Sequence, residues 1–142
     1  MSVSNPAPHK VAIVVDAALP AGLAANTASV LALTLGRQVE SIIGPDLKDA
    51  DGSAHVGITT VPLPILTADA DTVKAIRNRA VREHDDVLTV DFTDCAQRTR
   101  TYEDYAGLLE AATDADLAYL GVALYGPRKQ VQKLTGSLPL LR

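Results

Sequence analysis

The amino-acid sequence predicts a single α/β domain, with a small mixed, mostly parallel β-sheet and helices on both of its faces. Three observations support this fold class. The 142 residues are enough for one domain of ordinary size. The hydrophobic fraction is 47% but aromatic residues make up only 4%, a balance that suits helices packed closely on a sheet. Segments with strand patterns alternate along the chain with segments that have helical patterns.

The chain is predicted to begin with a short lead, a strand and a helix. Residues 1–9 are polar and contain prolines, which indicates a disordered lead rather than a signal peptide, so the domain covers residues 10–142. Residues 10–16 (KVAIVVD) form a run rich in β-branched residues, typical of a central strand covered on both faces. Pro20 marks the start of a helix over residues 21–35, and Gly36 is predicted to cap it. Because this helix is uncharged and apolar nearly all round, we expect burial on more than one side, by the sheet and by either another helix or a second subunit.

The middle of the chain is predicted to be less regular. Residues 39–43 have the pattern of a short strand, and the turn-rich segment that follows indicates an exposed loop. Residues 55–66 are extended, but Pro62 and Pro64 limit their second half to a sheet edge or an irregular stretch. Asp69 or Asp71 is predicted to cap a helix that runs to about residue 84.

The last third of the chain repeats the alternation. Residues 87–92 and 117–125 are predicted strands, and between them Thr101 caps a helix, with Asp104 three residues later. A short basic helix is predicted over residues 127–134, ended by Gly136. The apolar tail at residues 138–141 must then dock against the domain.

Composition narrows the function classes. The net charge of −4 does not favour a nucleic-acid partner, although two short basic clusters leave that alternative open. The one charge-free stretch is too short in its helical part to cross a membrane. A single cysteine rules out an internal disulfide and a multi-thiolate metal site. No cofactor motif or metal-ligand spacing is found, so we expect a soluble, cytoplasmic protein without a cofactor or metal.

Four residues are candidates for a ligand-binding site, while no catalytic residue can be named. Asp16 lies at the end of the first predicted strand, where open α/β sheets tend to bind ligands, although turn formation is an alternative. Asn26 interrupts an apolar helix, so its amide is either a structural cross-link or part of a site. His55 stands at the start of an extended segment, where it is either a general base or a loop histidine. Tyr102 completes the proposed pocket.

Several separated blocks of sequence resemble the family called domain of unknown function two thousand. These blocks run from about residue 10 to residue 142 and include KVAIVVDAALPAGLAANTASVLALTLG, GPDLKDADG, HVGIT, VDFT and LGVALYGPRKQVQKLTGSLPLLR. The resemblance implies a fold similar to second-class peptidyl-tRNA hydrolases, with a four-stranded mixed sheet. Those hydrolases have a Gly-Lys pair, a Gln and a Ser/Cys-His element at the start of the first helix. In this chain Gly22 matches the Gly, and Asn26 lies near the position of the Gln. However, Leu23 replaces the Lys and the His is absent. The resemblance therefore implies the fold and argues against the esterase activity.

Three functional hypotheses follow from the sequence. The first is a domain that binds an unidentified small molecule or a partner, on a fold similar to peptidyl-tRNA hydrolase. The second is a hydrolase of peptidyl- or aminoacyl-tRNA with a rearranged active site and His55 as its base. The third is an interaction module that forms a homodimer through the helix at residues 21–35, since large exposed apolar patches mark interfaces.

Overall fold

A four-stranded mixed β-sheet organises the computed structural model, which describes residues 9–142. The strands are β1 His9–Asp16, β2 Leu47–Lys48, β3 Ala54–His55, β4 Ile65–Ala68, β5 Leu88–Thr93 and β6 Tyr119–Pro127. The helices are α1 Ala21–Gln38, α2 Ala70–Glu83, α3 Asp94–Gln97, α4 Tyr102–Ala111 and α5 Arg128–Thr135. The sheet contains β4, β1, β6 and β5 in that order, while β2 and β3 form a separate hairpin. The predicted α/β class is therefore confirmed.

The strand directions differ from the prediction. Among the residues described, β1 pairs with β4 in parallel, but β6 is antiparallel to both of its neighbours, β1 and β5. One of three pairings is therefore parallel, and the prediction of a mostly parallel sheet is wrong. The physical reason is that alternating helices and strands do not fix direction: β6 follows β5 after two helices, yet it lies beside β5 and runs back along it.

Helices cover both faces of the sheet, as predicted. On one face α2 and α5 pack against alternate residues of β1 and β6, including Ala12, Val14 and Val122. On the other face α1 packs against Val11, Ile13 and Val15 of β1 and against β5. All five residues from Val11 to Val15 are at most 1% exposed. The β-branched run at the start of the domain thus forms a strand buried from both sides.

Helix α1 is longer and more exposed than its sequence suggests. It continues through Gly36 to Gln38, and the Val39 N–H donates to the Leu35 carbonyl at 2.9 Å. Gly36 is therefore an interior residue, because glycine weakens a helix without having to end it. One face is buried through Ala24, Thr27, Ala28, Leu31 and Leu35. The opposite face is open, with Leu33 79% exposed, so within residues 9–142 no second helix covers it. Burial of this face by a second subunit stays a prediction.

The segment between α1 and β4 is also rearranged. The predicted strand at residues 39–43 is instead a 3-10 turn, Glu40–Ile42, and only Ile43 makes an isolated bridge, to Thr59. The predicted loop after it contains the small hairpin of β2 and β3, whose residues are all exposed. A small hairpin depends on the geometry of its turn. The sequence pattern of this segment predicted turns, but not that two strands would pair across them.

Both ends of the described chain contact the sheet. His9 was expected to belong to the lead but begins β1 and pairs with Pro127, whereas residues 1–8 of the predicted lead lie outside the described residues. The C-terminal tail docks on the outer edge of β4, where Thr67 N–H donates to the Pro139 carbonyl at 2.9 Å and Leu141 N–H donates to the Ile65 carbonyl at 2.8 Å. Within residues 9–142, no helix is both long and apolar enough to span a bilayer.

Candidate functional site

A cavity of about 420 Å³ lies where α1, the outer strand β5 and the start of α4 meet. We call it the α1–β5–α4 cavity. Its size falls in the range of small-molecule sites, roughly 300–1,000 Å³. The residues that line it come from three separate parts of the chain: Val30, Thr34, Val90, Asp91, Phe92, Ala96, Thr99, Arg100, Thr101, Tyr102 and Tyr105.

The floor of the cavity is apolar because of the alternation of β5. Successive side chains of a strand point to opposite faces, so Val90 and Phe92 both face α1. Val30 of α1 meets them there and is 36% exposed, because nothing in the described chain covers it on the cavity side. Burying such a surface under a ligand would be favourable at about 25 cal/mol per Å².

Two tyrosines form the side of the cavity opposite α1. Tyr102 and Tyr105 lie one turn apart on α4, with ring centres 5.4 Å apart in an edge-to-face arrangement. The start of this helix is fixed by Thr101, whose hydroxyl oxygen accepts from the Asp104 N–H at 3.1 Å, as the sequence predicted. Burial, reinforced by the nearby Asp91 carboxylate, raises the pKa of Tyr105, so its phenol remains a hydrogen-bond donor throughout the physiological range.

The two charged side chains at the cavity, Asp91 and Arg100, differ in whether they have an ion-pair partner. The Asp91 side chain points away toward α2, where Arg77 Nε donates to its Oδ2 at 3.0 Å, so its charge is already compensated. Arg100 at the rim forms no ion pair with any carboxylate of residues 9–142. Its neighbour Arg98, by contrast, lies 3.8 Å from Asp94. The uncompensated charge of the cavity is therefore positive.

Helix α4 covers the cavity without being anchored in the core. Not one of its residues is fully buried, and Tyr102 is 82% exposed. A helix held by so few buried contacts opens at low free-energy cost. The cavity therefore has one rigid wall, formed by α1 and β5, and one adjustable wall.

The four residues predicted from the sequence lie apart. Tyr102 lines the α1–β5–α4 cavity. Asp16 closes the turn after β1, where its Oδ1 accepts from the Ala18 N–H at 2.9 Å. Asn26 was expected to be a buried amide, but it lies on the exposed face of α1. His55 is on β3, with Nε2 2.8 Å from Asp49 Oδ2, and this contact lowers the pKa of Asp49.

Sequence reasoning missed most of the cavity. Tyr105, Arg100 and Val30 were not predicted as site residues. One local clue existed: Tyr102 and Tyr105 at helical spacing directly after Arg100 place two rings and a cation on one side of a helix start. Nothing in the sequence indicated that α1 and β5 would complete the site, because that depends on long-range packing.

No metal centre was found in the described part of the chain: no group of three or more His, Cys, Asp or Glu side chains there has suitable geometry. Cys95, the only cysteine, is buried in α3. The residues that line the α1–β5–α4 cavity supply hydroxyls, the Arg100 cation and an apolar floor.

Comparison with known proteins gives a family and a fold. The family model described as Protein of unknown function (DUF2000) matches residues 9–142. Among solved structures, a protein of unknown function from Agrobacterium tumefaciens strain C58 is similar, with a TM-score of 0.86 and 20% sequence identity. The match covers 95% of this chain and 98% of that one. At this identity the likeness shows the fold alone. No curated protein matches the sequence.

Proposed function

The chain belongs to the family described as Protein of unknown function (DUF2000), and we propose that it binds a small organic acid with an apolar body in the α1–β5–α4 cavity. One observation carries this proposal: the uncompensated Arg100 stands at the rim of a cavity whose floor is Val30, Val90 and Phe92. A site of this kind combines apolar area for affinity with one charged group for orientation. The Tyr105 hydroxyl is a further donor for a carboxylate or phosphate, whereas the Thr99 hydroxyl already donates to the Cys95 carbonyl at 2.9 Å.

We also propose that the fold is similar to that of second-class peptidyl-tRNA hydrolases. A four-stranded mixed sheet with helices on both faces agrees with the fold that the resemblance to second-class peptidyl-tRNA hydrolases implies. Fold likeness alone does not carry an activity, so the proposed function depends on the cavity and not on this resemblance.

Thermal unfolding of the purified chain with a library of small carboxylates and phosphates tests the proposal. A ligand at 100 times its dissociation constant should stabilise the fold by about 2.7 kcal/mol. Arg100→Gln should weaken the binding of every acid that gives a shift, because the charge is lost while the shape is nearly kept. Arg98→Gln is the matched control, since Arg98 is also a solvent-exposed arginine but does not line the cavity. Equal losses in the two variants would contradict the proposal.

A steric pair of variants tests the location. Val30→Arg should fill the α1–β5–α4 cavity and abolish binding. Leu33→Arg, on the open face of the same helix, should leave binding unchanged, because Leu33 does not line the cavity and is already 79% exposed. Binding that survives Val30→Arg would move the site elsewhere.

The second candidate is a hydrolase acting on peptidyl- or aminoacyl-tRNA with His55 as general base. The supporting observation is the 2.8 Å contact between His55 and Asp49, because a carboxylate that holds an imidazole is a common feature of catalytic bases. Both side chains are solvent-exposed, at 63% and 41%. Turnover of peptidyl-tRNA that disappears in His55→Ala would support this candidate, whereas unchanged turnover would remove His55 as the base.

A homodimer through α1 is the remaining partner proposal. The open face of the helix carries Leu33, with Val30 at its margin, and both side chains would be covered in such a dimer. Sedimentation velocity at micromolar concentration tests it. A dimer that dissociates in Leu33→Arg would support the proposal, and a monomer in the unmodified protein would contradict it.

A further inference from the structure

The outer edge of β5 carries unpaired main-chain groups, as the hydrogen-bond register shows. Ile13 N–H donates to the Pro64 carbonyl at 3.0 Å, so the main chain of Ile13 points toward β4. Because both groups of a strand residue point to the same side and successive residues alternate, Ala12 and Val14 point toward β6. Their partners in β6 are Leu124 and Val122. The even-numbered residues of β6 thus bond to β1, and its odd-numbered residues face β5.

The same alternation carries over to β5. Ala123 and Gly121 of β6 are opposite Val90 and Phe92, so these two residues of β5 are the hydrogen-bonded ones. Thr89 and Asp91 must then direct their N–H and C=O groups outward, away from the sheet. Within residues 9–142 neither residue has a main-chain hydrogen bond on that side.

The opposite edge of the sheet, at β4, is already paired. Ile65 and Thr67, the outward-facing residues of β4, are both paired with the C-terminal tail. Proteins commonly close or cover sheet edges because an open edge accepts any extended chain. In this sheet one edge is closed by the tail, while at the other α4 stands off from β5 and leaves the α1–β5–α4 cavity between them. The outward main chain of Asp91 therefore opens into a ligand-sized space.

Three features of that space point to one class of ligand. An unpaired N–H and C=O on a strand edge recognise another extended main chain. The apolar floor beside Asp91 can contact an apolar side chain, and the Arg100 guanidinium can donate to a carboxylate. The ion pair with Arg77 on the far face of the sheet reduces the repulsion between the Asp91 carboxylate and such an anion.

We propose that the ligand of the α1–β5–α4 cavity is a short peptide with a free C-terminal carboxylate, which adds to the edge of β5 as an extended strand. Its main chain pairs with Asp91 and Thr89, an apolar side chain rests on Val90 and Phe92, and its carboxylate binds Arg100. This inference rests on the proposed function and narrows its ligand from organic acids in general to peptides.

Calorimetric titration with an N-acetylated tripeptide ending in leucine tests the inference. Three altered ligands accompany it: the same peptide as a C-terminal amide, the peptide methylated in turn at each backbone nitrogen, and 4-phenylbutyrate as a non-peptide acid. We expect the amide to bind at least about tenfold more weakly, because a charge-assisted hydrogen bond is lost. Methylation at the nitrogen that pairs with Asp91 should weaken binding several-fold, and 4-phenylbutyrate should bind more weakly than the peptide.

The outcomes separate this inference from the proposed function. Binding of 4-phenylbutyrate as tight as that of the peptide, with no effect of methylation at any nitrogen, would overturn the peptide assignment and leave the acid-binding site in place. Failure of all these ligands and of the acid library would overturn both.

A variant of the protein tests the edge directly. Thr89→Pro removes an outward N–H without removing a sheet hydrogen bond, and proline is tolerated at such edge positions. We expect it to reduce peptide affinity several-fold while the affinity for 4-phenylbutyrate is unchanged. If Thr89→Pro does not fold, backbone amide exchange of the unmodified protein gives the same information, since the peptide should slow exchange at Thr89 and Asp91. Unchanged exchange at both amides under saturating peptide would contradict strand addition.

Discussion

Arg77 and Asp91 join helix α2 to the edge strand β5 through a hydrogen-bonded ion pair of 3.0 Å, with side chains only 27% and 22% exposed. The Arg77 guanidinium also lies 5.1 Å from the centre of the Tyr119 ring. The pair therefore ties the helix to two neighbouring strands at once. On the other side of the sheet, directly behind this pair, lies the floor of the α1–β5–α4 cavity.

Replacing Arg77 by methionine should destabilise the fold by about 2 kcal/mol, because Asp91 would keep a partly buried charge without its partner. Urea denaturation measures the change in the free energy of unfolding. Arg79→Met is the matched control on the same helix. Its ion pair with Glu83 is largely exposed, so its loss should be below about 0.5 kcal/mol. Equal losses in both variants would mean that the Arg77–Asp91 contact contributes nothing specific.

Stability should fall at alkaline pH because of Tyr119. Burial raises the pKa of Tyr119 to about 12 from its ordinary value of 10. The folded state thus holds this proton more tightly than the unfolded state, and the stabilisation is complete below pH 10 and lost as the pH rises toward 12. Denaturation midpoints measured across this window should decline less steeply in Tyr119→Phe, which has no phenol to ionise. Parallel declines in the two proteins would contradict the assignment.

Gly121 of β6 should not tolerate a side chain. A Cβ atom there would lie 2.6 Å from Thr27 Cγ2 and 3.1 Å from the Val14 carbonyl oxygen. Gly121→Ala should therefore destabilise the fold by about 1–3 kcal/mol through overpacking. Gly107→Ala on α4 is the contrasting variant. No atom lies within 4 Å of its Cβ position, so the higher helix propensity of alanine should stabilise α4 by about 0.5–1 kcal/mol. Thermal denaturation of both variants checks the opposite signs.

The C-terminal tail should protect the edge of β4. Leu141→Pro removes the N–H that donates to the Ile65 carbonyl, so the tail should detach more often and the Thr67 amide should exchange faster with solvent. Leu140→Pro is the matched control, since within residues 9–142 the Leu140 N–H has no partner in β4. Hydrogen exchange followed by NMR measures both variants. An unchanged rate at Thr67 in Leu141→Pro would show that the tail does not control this edge.

Local signals in the sequence predicted local structure well. The run from Val11 to Val15 is a strand buried on both faces, as its β-branched composition indicated. Asp69 caps α2 by accepting from the Thr72 N–H at 2.8 Å, and Thr101 caps α4. At each of these two helix starts a side-chain oxygen accepts from a main-chain N–H, and the few residue types that can do so are recognisable in the sequence.

Features that depend on long-range packing were not predicted. The direction of β6 is set by where it lies between β1 and β5, which no local pattern encodes. Asn26 is surrounded by apolar residues in the sequence, yet it lies on the open face of α1. Its neighbours along the chain therefore suggested a buried amide, whereas the side chain is exposed to solvent. The α1–β5–α4 cavity combines residues from α1, β5 and α4. Of the four sequence candidates, only Tyr102 lies there.

The position of β1 has a consequence for how the protein is made. This strand is synthesised before every other element of the described chain, but it pairs with β4, which begins at residue 65, and with β6, which begins at residue 119. During synthesis its apolar run therefore lacks its β4 partner until residues 65–68 have emerged, and its β6 partner until residues 119–127 have emerged. Such segments invite aggregation and chaperone binding, and the delay of long-range pairing slows folding. The strand that is most protected in the native sheet is thus the one exposed longest during synthesis.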